Sequence, residues 1–250
     1  MFDLTGKKAL VVGGAGGLGM HMVRALLEAG AKTCVIDISD DMHSMVSSLV
    51  DEGFPIHGVY ANISQRDEIR ESYDYALNHL DGHLDILVNA AGIQRREESE
   101  DFSEKDWDDV IGINLSATFF YCQLAAKTMI PQGGGKMINV ASIMSICGGK
   151  TIPAYSASKG GVGQLTKTLS NDWGSKGINI NAIAPGYMDT PLNTTLMKDE
   201  KRCNEIMARI PQQRWGIGED MKGITVFLAS PASDYINGTI IPIDGGYLGR

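Results

Sequence analysis

At 250 residues, 43% hydrophobic and 21% charged, the chain is long enough for a sizeable core and too apolar to remain disordered. Its 22 basic residues against 30 acidic ones leave a net charge of −8, so no cationic excess is available for a nucleic-acid backbone or an anionic membrane face. No apolar run approaches the roughly 18 to 20 residues of a membrane span, and residues 1–6 carry neither a basic leader nor a cleavable apolar stretch. The four cysteines, Cys34, Cys122, Cys147 and Cys203, form no C-x-x-C pair. A cytoplasmic protein with reduced thiols is expected, with neither nucleic acid nor membrane as partner. His79 and His83 have a metal-like spacing, but Gly82 breaks the helix between them, and no metal is expected.

In chain order, residues 9–12, 33–38, 56–60, 86–88, 137–140, 178–183 and 239–243 form short apolar, β-branched runs that read as strands. Most are apolar on both faces, which requires cover above and below. Between them, residues 18–28, 42–50, 67–80, 107–130 and 155–173 carry apolar side chains at helical spacing. The alternation predicts an α/β fold spanning residues 1–250 as a single domain. Its expected form is a Rossmann-type, doubly wound parallel sheet of about seven strands with helices on both faces. Residues 187–209 fit neither pattern and are expected to form a substrate flap.

Directly after the first strand stands Gly13-Gly14-Ala15-Gly16-Gly17-Leu18-Gly19. Glycines at 13, 17 and 19 allow a tight turn and close backbone approach, and they place a pyrophosphate at a helix N-terminus where free N–H groups favour an anion. The second strand ends at Asp37, twenty positions past Gly17, where a carboxylate can accept the adenosine ribose hydroxyls. That carboxylate repels a 2′-phosphate, and Ala15, Gly16 and Ile38 supply no compensating cation, so NAD is the expected cofactor.

Further on, Tyr155 and Lys159 open a helix four residues apart and project from one face. An ammonium beside a phenol favours the phenolate and moves its pKa toward the working pH. Ser142 follows the strand 137–140, at the sheet edge where open α/β folds bind ligands, and its hydroxyl can reach the oxygen on which Tyr155 acts.

Together these motifs resemble the short-chain dehydrogenase/reductase family, from Gly13-x-x-x-Gly17-x-Gly19 through Asn89-Ala90-Ala91-Gly92, Asn114, Ser142, Tyr155-x-x-x-Lys159 and Pro185-Gly186 to Asp244-Gly245-Gly246. The resemblance implies that Tyr155 is the general acid/base, that Ser142 steadies the substrate oxygen, that Lys159 holds the nicotinamide ribose, and that Asn114 holds a water in the proton relay. It also places Leu18, Ile38, Asn62, Ile63, Asn89, Ala90, Ala91, Gly92, Pro185, Gly186, Met188 and Thr190 at the cofactor, and Met144 at the substrate. Asn62 stands where the family often has Asp, Val12 where many members have Thr, and Ala90 where Asn is common. A helix amide for Asn114, a turn amide for Asn62 and a helix cap for Thr190 are the structural alternatives.

Arg95 and Arg96 lie just past the fourth strand and suit a carboxylate, or else form a surface pair answering the acidic run 97–101. The stretches 95–97, 102–109, 184–188, 209–211 with 214–216, and 232–238 resemble the sugar-acid branch of the family, and Tyr187 within them either packs on the ligand or anchors the flap. The implied reaction interconverts a secondary alcohol and a ketone on a gluconate or keto-deoxygluconate, in a homotetramer. The same chemistry on another carbonyl class, such as a 3-oxoacyl thioester or an aliphatic or cyclic ketone, is one alternative. A non-catalytic NAD(H)-binding module is another.

Overall fold

Seven strands form one sheet in the computed structural model, which describes residues 1–250. They are β1 (Lys8–Val12), β2 (Lys32–Asp37), β3 (Ile56–Tyr60), β4 (Ile86–Asn89), β5 (Gly135–Val140), β6 (Ile178–Pro185) and β7 (Ile240–Ile243). All pairs are parallel, in the order β3-β2-β1-β4-β5-β6-β7. Side chains alternate between faces along each strand. Leu10 and Val12 of β1 accordingly join a buried cluster of 22 residues, and Ala9 and Val11 join a second cluster of 21. The near-equal sizes explain why the strands lack polar alternation: both faces are covered.

One face is covered by α1 (Gly17–Glu28) and α2 (Asp41–Asp51), through Met22, Leu26, Met42 and Leu49. The other is covered by α3 (Arg66–His79), then α4 (Glu104–Ile111), a π-helical turn (Gly112–Ala117) and α5 (Thr118–Gln132), and finally α6 (Pro153–Trp173). Residues 107–130 are therefore not one uniform α-helix. The run begins at Glu104, where the Ser103 hydroxyl caps the Asp106 N–H at 3.1 Å, and widens into the π turn at Asn114. The 187–209 segment holds two short helices, α7 (Thr194–Lys198) and α8 (Glu200–Met207), and α9 (Lys222–Ala229) packs on α1.

The chain winds outward in opposite directions from β1 and β4, and the strand ends between them open a crevice. No helix is long and apolar enough to cross a membrane. His79 and His83 diverge: His79 stacks on His57 with centroids 3.4 Å apart, and His83 lies 3.4 Å from Asp85.

Candidate active site

β1 ends at Val12 and α1 begins at Gly17, so the glycine turn spans the crevice. Gly13 and Gly17 have φ of +80° and +51°, the left-handed region that most side chains avoid. A Cβ on Gly19 would collide with the Gly13 carbonyl oxygen, whereas Gly16 and Gly17 meet nothing within 4 Å. The turn is packed on its protein side and bare on its cleft side. α1 also opens without a side-chain cap or an acidic residue in its first turn, which leaves N–H groups free for an anion. This cradle fits a dinucleotide pyrophosphate. Despite Val12 in place of Thr, the turn is tied down by backbone: the Val12 carbonyl accepts the Ala90 and Ala91 amides at 2.8 and 2.9 Å.

Asp37 serves the same loop. Its carboxylate accepts the Ala15 N–H at 2.8 Å, and the Ile38 and Ser39 N–H groups at 2.8 and 2.9 Å. It thus latches the glycine turn to the end of β2 while still lining a cleft of about 440 Å³. Gly13, Gly16, Gly17, Leu18, Gly19, Ile38, Asn62, Ile63, Ala90, Ala91, Gly92, Pro185, Gly186, Met188 and Thr190 line that cleft as well. Ala15 and Asn89 do not; Asn89 turns inward, its Nδ2 donating to Asn139 Oδ1 at 2.9 Å. The Asn62 side chain closes a turn by accepting the Ser64 N–H at 3.1 Å. Thr190 caps nothing, which leaves its hydroxyl available.

Ser142, Tyr155 and Lys159 meet at the other end of the cleft. Pro153 starts α6 with a φ already suited to a helix, and Tyr155 falls in the first turn. The Ser145 hydroxyl donates to the Lys159 carbonyl at 2.6 Å and accepts the Ser142 N–H at 3.3 Å, which stitches the end of β5 to α6. Lys159 is 3% exposed; its Nζ donates to the Val140 carbonyl at 2.7 Å and sits 5.8 Å from the Tyr155 ring centroid.

Burial pushes the Tyr155 phenol above its ordinary range, while the Ser142 hydroxyl and then the Arg96 guanidinium draw it down. Lys159, expected to move the phenol toward the working pH, is not among these influences. The reason is geometric: the ammonium is anchored on Val140 beside the ring, and its own pKa is lowered by burial to about 8. A role for Arg96 on Tyr155 has no signature in residue spacing, because 59 positions separate them.

Asn114 is wholly buried in the π turn. Its Oδ1 accepts the Ile93 N–H at 2.8 Å, and its Nδ2 donates to the Ile93 carbonyl and to Ser158 Oγ, both at 3.0 Å. The side-chain amide therefore clamps the segment after β4 to α6. Ile113 beside it and Pro191, Leu192 and Asn193 also line the cleft; sequence reading missed them, and only adjacency to Asn114 and Thr190 hinted at them.

The arginine pair divides. Arg95 is exposed and lies 3.3 Å from Asp106, a surface ion pair. Arg96 turns inward, and its Nη1 is buried without a hydrogen-bond partner. Tyr187 and Met144 pack on an apolar cluster of Ile143, Leu196 and Ile206, outside the cleft that Ser142, Tyr155 and Lys159 line. Tyr187 packs edge-on against Trp215 and Tyr247, at 5.5 and 5.3 Å, and so anchors the start of the 187–209 segment.

A parallel sheet with this cradle and this Ser-Tyr-Lys set defines a nicotinamide-dependent oxidoreductase, and the chain belongs to the short-chain dehydrogenase/reductase family. The family model described as enoyl-(acyl carrier protein) reductase matches residues 13–248. The chain is 46% identical over 250 residues to the 2-dehydro-3-deoxy-D-gluconate 5-dehydrogenase of Escherichia coli, covering 100% of this chain and 98% of that one. It is 38% identical over 247 residues to the gluconate 5-dehydrogenase of Gluconobacter oxydans, covering 98% and 96% of the two chains. The crystal structure of a gluconate 5-dehydrogenase from Burkholderia cenocepacia, in complex with NADP and tartrate, matches with a TM-score of 0.95 at 37% identity, covering 100% of this chain and 98% of that one.

Proposed function

We propose that the protein is an NAD-dependent dehydrogenase/reductase that interconverts a secondary alcohol and a ketone on a sugar acid of the gluconate or keto-deoxygluconate type. The observation that carries the chemistry is the convergence of Ser142, Tyr155 and Lys159 at one end of a cleft whose other end is a phosphate cradle. When bound, the dinucleotide supplies or takes up the hydride. In oxidation Tyr155 takes the substrate's hydroxyl proton, and in reduction it returns one to the carbonyl oxygen. Ser142 donates to that same oxygen and fixes its distance from the phenol. Lys159 has donors left beyond the one on Val140, and these would hold the ribose hydroxyls of a bound dinucleotide. Asn114 acts as a positioning residue through Ile93 and Ser158.

A sugar acid is supported by the buried, unpartnered Nη1 of Arg96, whose charge acts on Tyr155, together with the names of the relatives. NAD is supported by Asp37 on the cleft wall, where the only lining cation, Lys159, belongs to the catalytic end. The dinucleotide contacts are assigned to the cleft-lining residues given above, and the 187–209 segment to a flap over the substrate. Cytoplasmic location accords with four unpaired cysteines, and a homotetramer accords with the exposed Trp107 on α4.

The test is a panel of gluconates, keto-deoxygluconates, 3-oxoacyl thioesters and simple ketones or alcohols, each with NAD and NADP. Highest kcat/KM on a sugar acid with NAD is expected. A preference for the thioesters would move the protein to another carbonyl class, and dinucleotide binding with no turnover across the panel would leave a binding module.

A further inference from the structure

Arg96 stands on a fixed segment. Ile93 donates its N–H to Asn114 Oδ1 at 2.8 Å and accepts from Asn114 Nδ2 at 3.0 Å, and the Glu97 N–H donates to the Thr151 carbonyl at 3.2 Å. A buried guanidinium nitrogen without a partner is uncommon, because the unsatisfied donor destabilises the fold unless something supplies an acceptor. No protein oxygen supplies it.

A second guanidinium shares this neighbourhood. Arg202 lies in the first turn of α8, where Asp199 caps its backbone N–H at 3.1 Å. One turn further along the same helix face, Ile206 is buried in the cluster that holds Ile143, Tyr187 and Tyr247. Arg202 is half-buried, and its guanidinium takes part in no ion pair or side-chain hydrogen bond within the chain. After burial, the Arg202 charge is the next influence lowering Arg96, and the same charge draws down Tyr187. Two cations within reach of each other's charge repel, and a carboxylate bound by the unpartnered Nη1 of Arg96 and by the unpaired Arg202 converts the repulsion into two charge-assisted attractions.

We propose that Arg202 is the second arm of the substrate's carboxylate site, so that an acidic substrate is gripped by Arg96 on the fixed segment and by Arg202 on α8, drawing the 187–209 segment over it. This rests on the sugar-acid assignment above and adds to it a specificity residue from an element that sequence reading left without structure. It also ties substrate charge to closure: a neutral polyol of the same length gains nothing from α8.

The experiment compares wild type, Arg202→Gln, Arg202→Lys and Arg96→Gln. Readouts are KM and kcat on the preferred sugar acid, kcat/KM on the corresponding neutral alditol, inhibition by tartrate, and NADH binding by fluorescence as a check of folding. Arg202→Gln is expected to raise KM for the acid and the tartrate inhibition constant about 10- to 100-fold, the range of a lost charge-assisted hydrogen bond. The alditol and NADH values stay put, and Arg202→Lys recovers part of the loss. Acid-over-alditol discrimination that disappears in Arg96→Gln but survives intact in Arg202→Gln overturns the second arm alone. A wild type that does not discriminate acid from alditol overturns the sugar-acid assignment and this inference with it.

Discussion

Tyr155 and Lys159 lie one helical turn apart, yet the fold gives them different electrostatic surroundings. Burial raises the phenol and lowers the ammonium to about 8, so both groups shift toward their neutral forms. The sign of the consequence for stability follows from proton counts. An ordinary lysine titrates near 10.5, so between about 8 and 10.5 the unfolded chain holds more protons at this position than the folded one. Lys159 therefore weakens the fold fully below about 8, and stability rises with pH through that window. Urea unfolding of wild type and Lys159→Met should show the difference moving in favour of wild type as pH climbs from 8 to 10.5; a constant difference would contradict the assigned shift. The two neighbouring arginines also separate at this scale. Arg95→Ala removes an exposed pair and should change stability by less than about 0.5 kcal/mol, with sugar-acid KM unaltered. Arg96→Ala should raise that KM roughly tenfold or more. Sequence placed both on the site edge of the sheet. Which of two adjacent side chains turns inward depends on how Asn114 and Thr151 hold the backbone, and no local pattern encodes that.

Elements were legible where a single force shapes them. Each of the seven strands lies close to its expected position, most plainly the central β1, β2 and β4, where two covered faces demand a near-continuous apolar run, and β1 and β2 could be read from Leu10, Val11, Val35 and Ile36 alone. The glycine turn was legible because its chemistry is local. Gly19→Ala should weaken dinucleotide binding at least tenfold, since the added methyl meets the Gly13 carbonyl and must shift the cradle; fluorescence titration with NADH checks it, and unchanged affinity would show that the turn yields. The break between α4 and α5 was not legible, because apolar spacing averages over a single widened turn. The Ser103 cap at the head of α4 was missed too, and Ser103→Ala should cost about 1 kcal/mol in chemical denaturation. α7, α8 and α9 are eight residues or shorter, too brief for periodicity to stand out.

For the whole molecule, the parallel order brings segments far apart in sequence to one crevice: the glycine turn, Asp37, the stretch after β4, Ser142 and the start of α6. Ligand binding there should be coupled to global stability, because the unfolded chain has no cleft. NAD at about 100 times its dissociation constant should add ~2.7 kcal/mol, raising Tm by about 5–11 °C for a chain of this size. Calorimetry with NADP at the same concentration should give a smaller rise if, as proposed, the adenosine ribose binds beside Asp37; an equal or larger rise would show that its carboxylate does not exclude the extra phosphate.

The most direct measurement is single-turnover reduction of NAD by a saturating sugar acid in wild type and in Tyr155→Phe, with NADH affinity followed in parallel. The substitution should leave NADH affinity within a factor of about two while slowing turnover by about 10²- to 10⁴-fold, the contribution of a positioned proton acceptor. Turnover at the wild-type rate in Tyr155→Phe would mean that the proton leaves by another route and that the Ser142, Tyr155 and Lys159 set is not the catalytic centre.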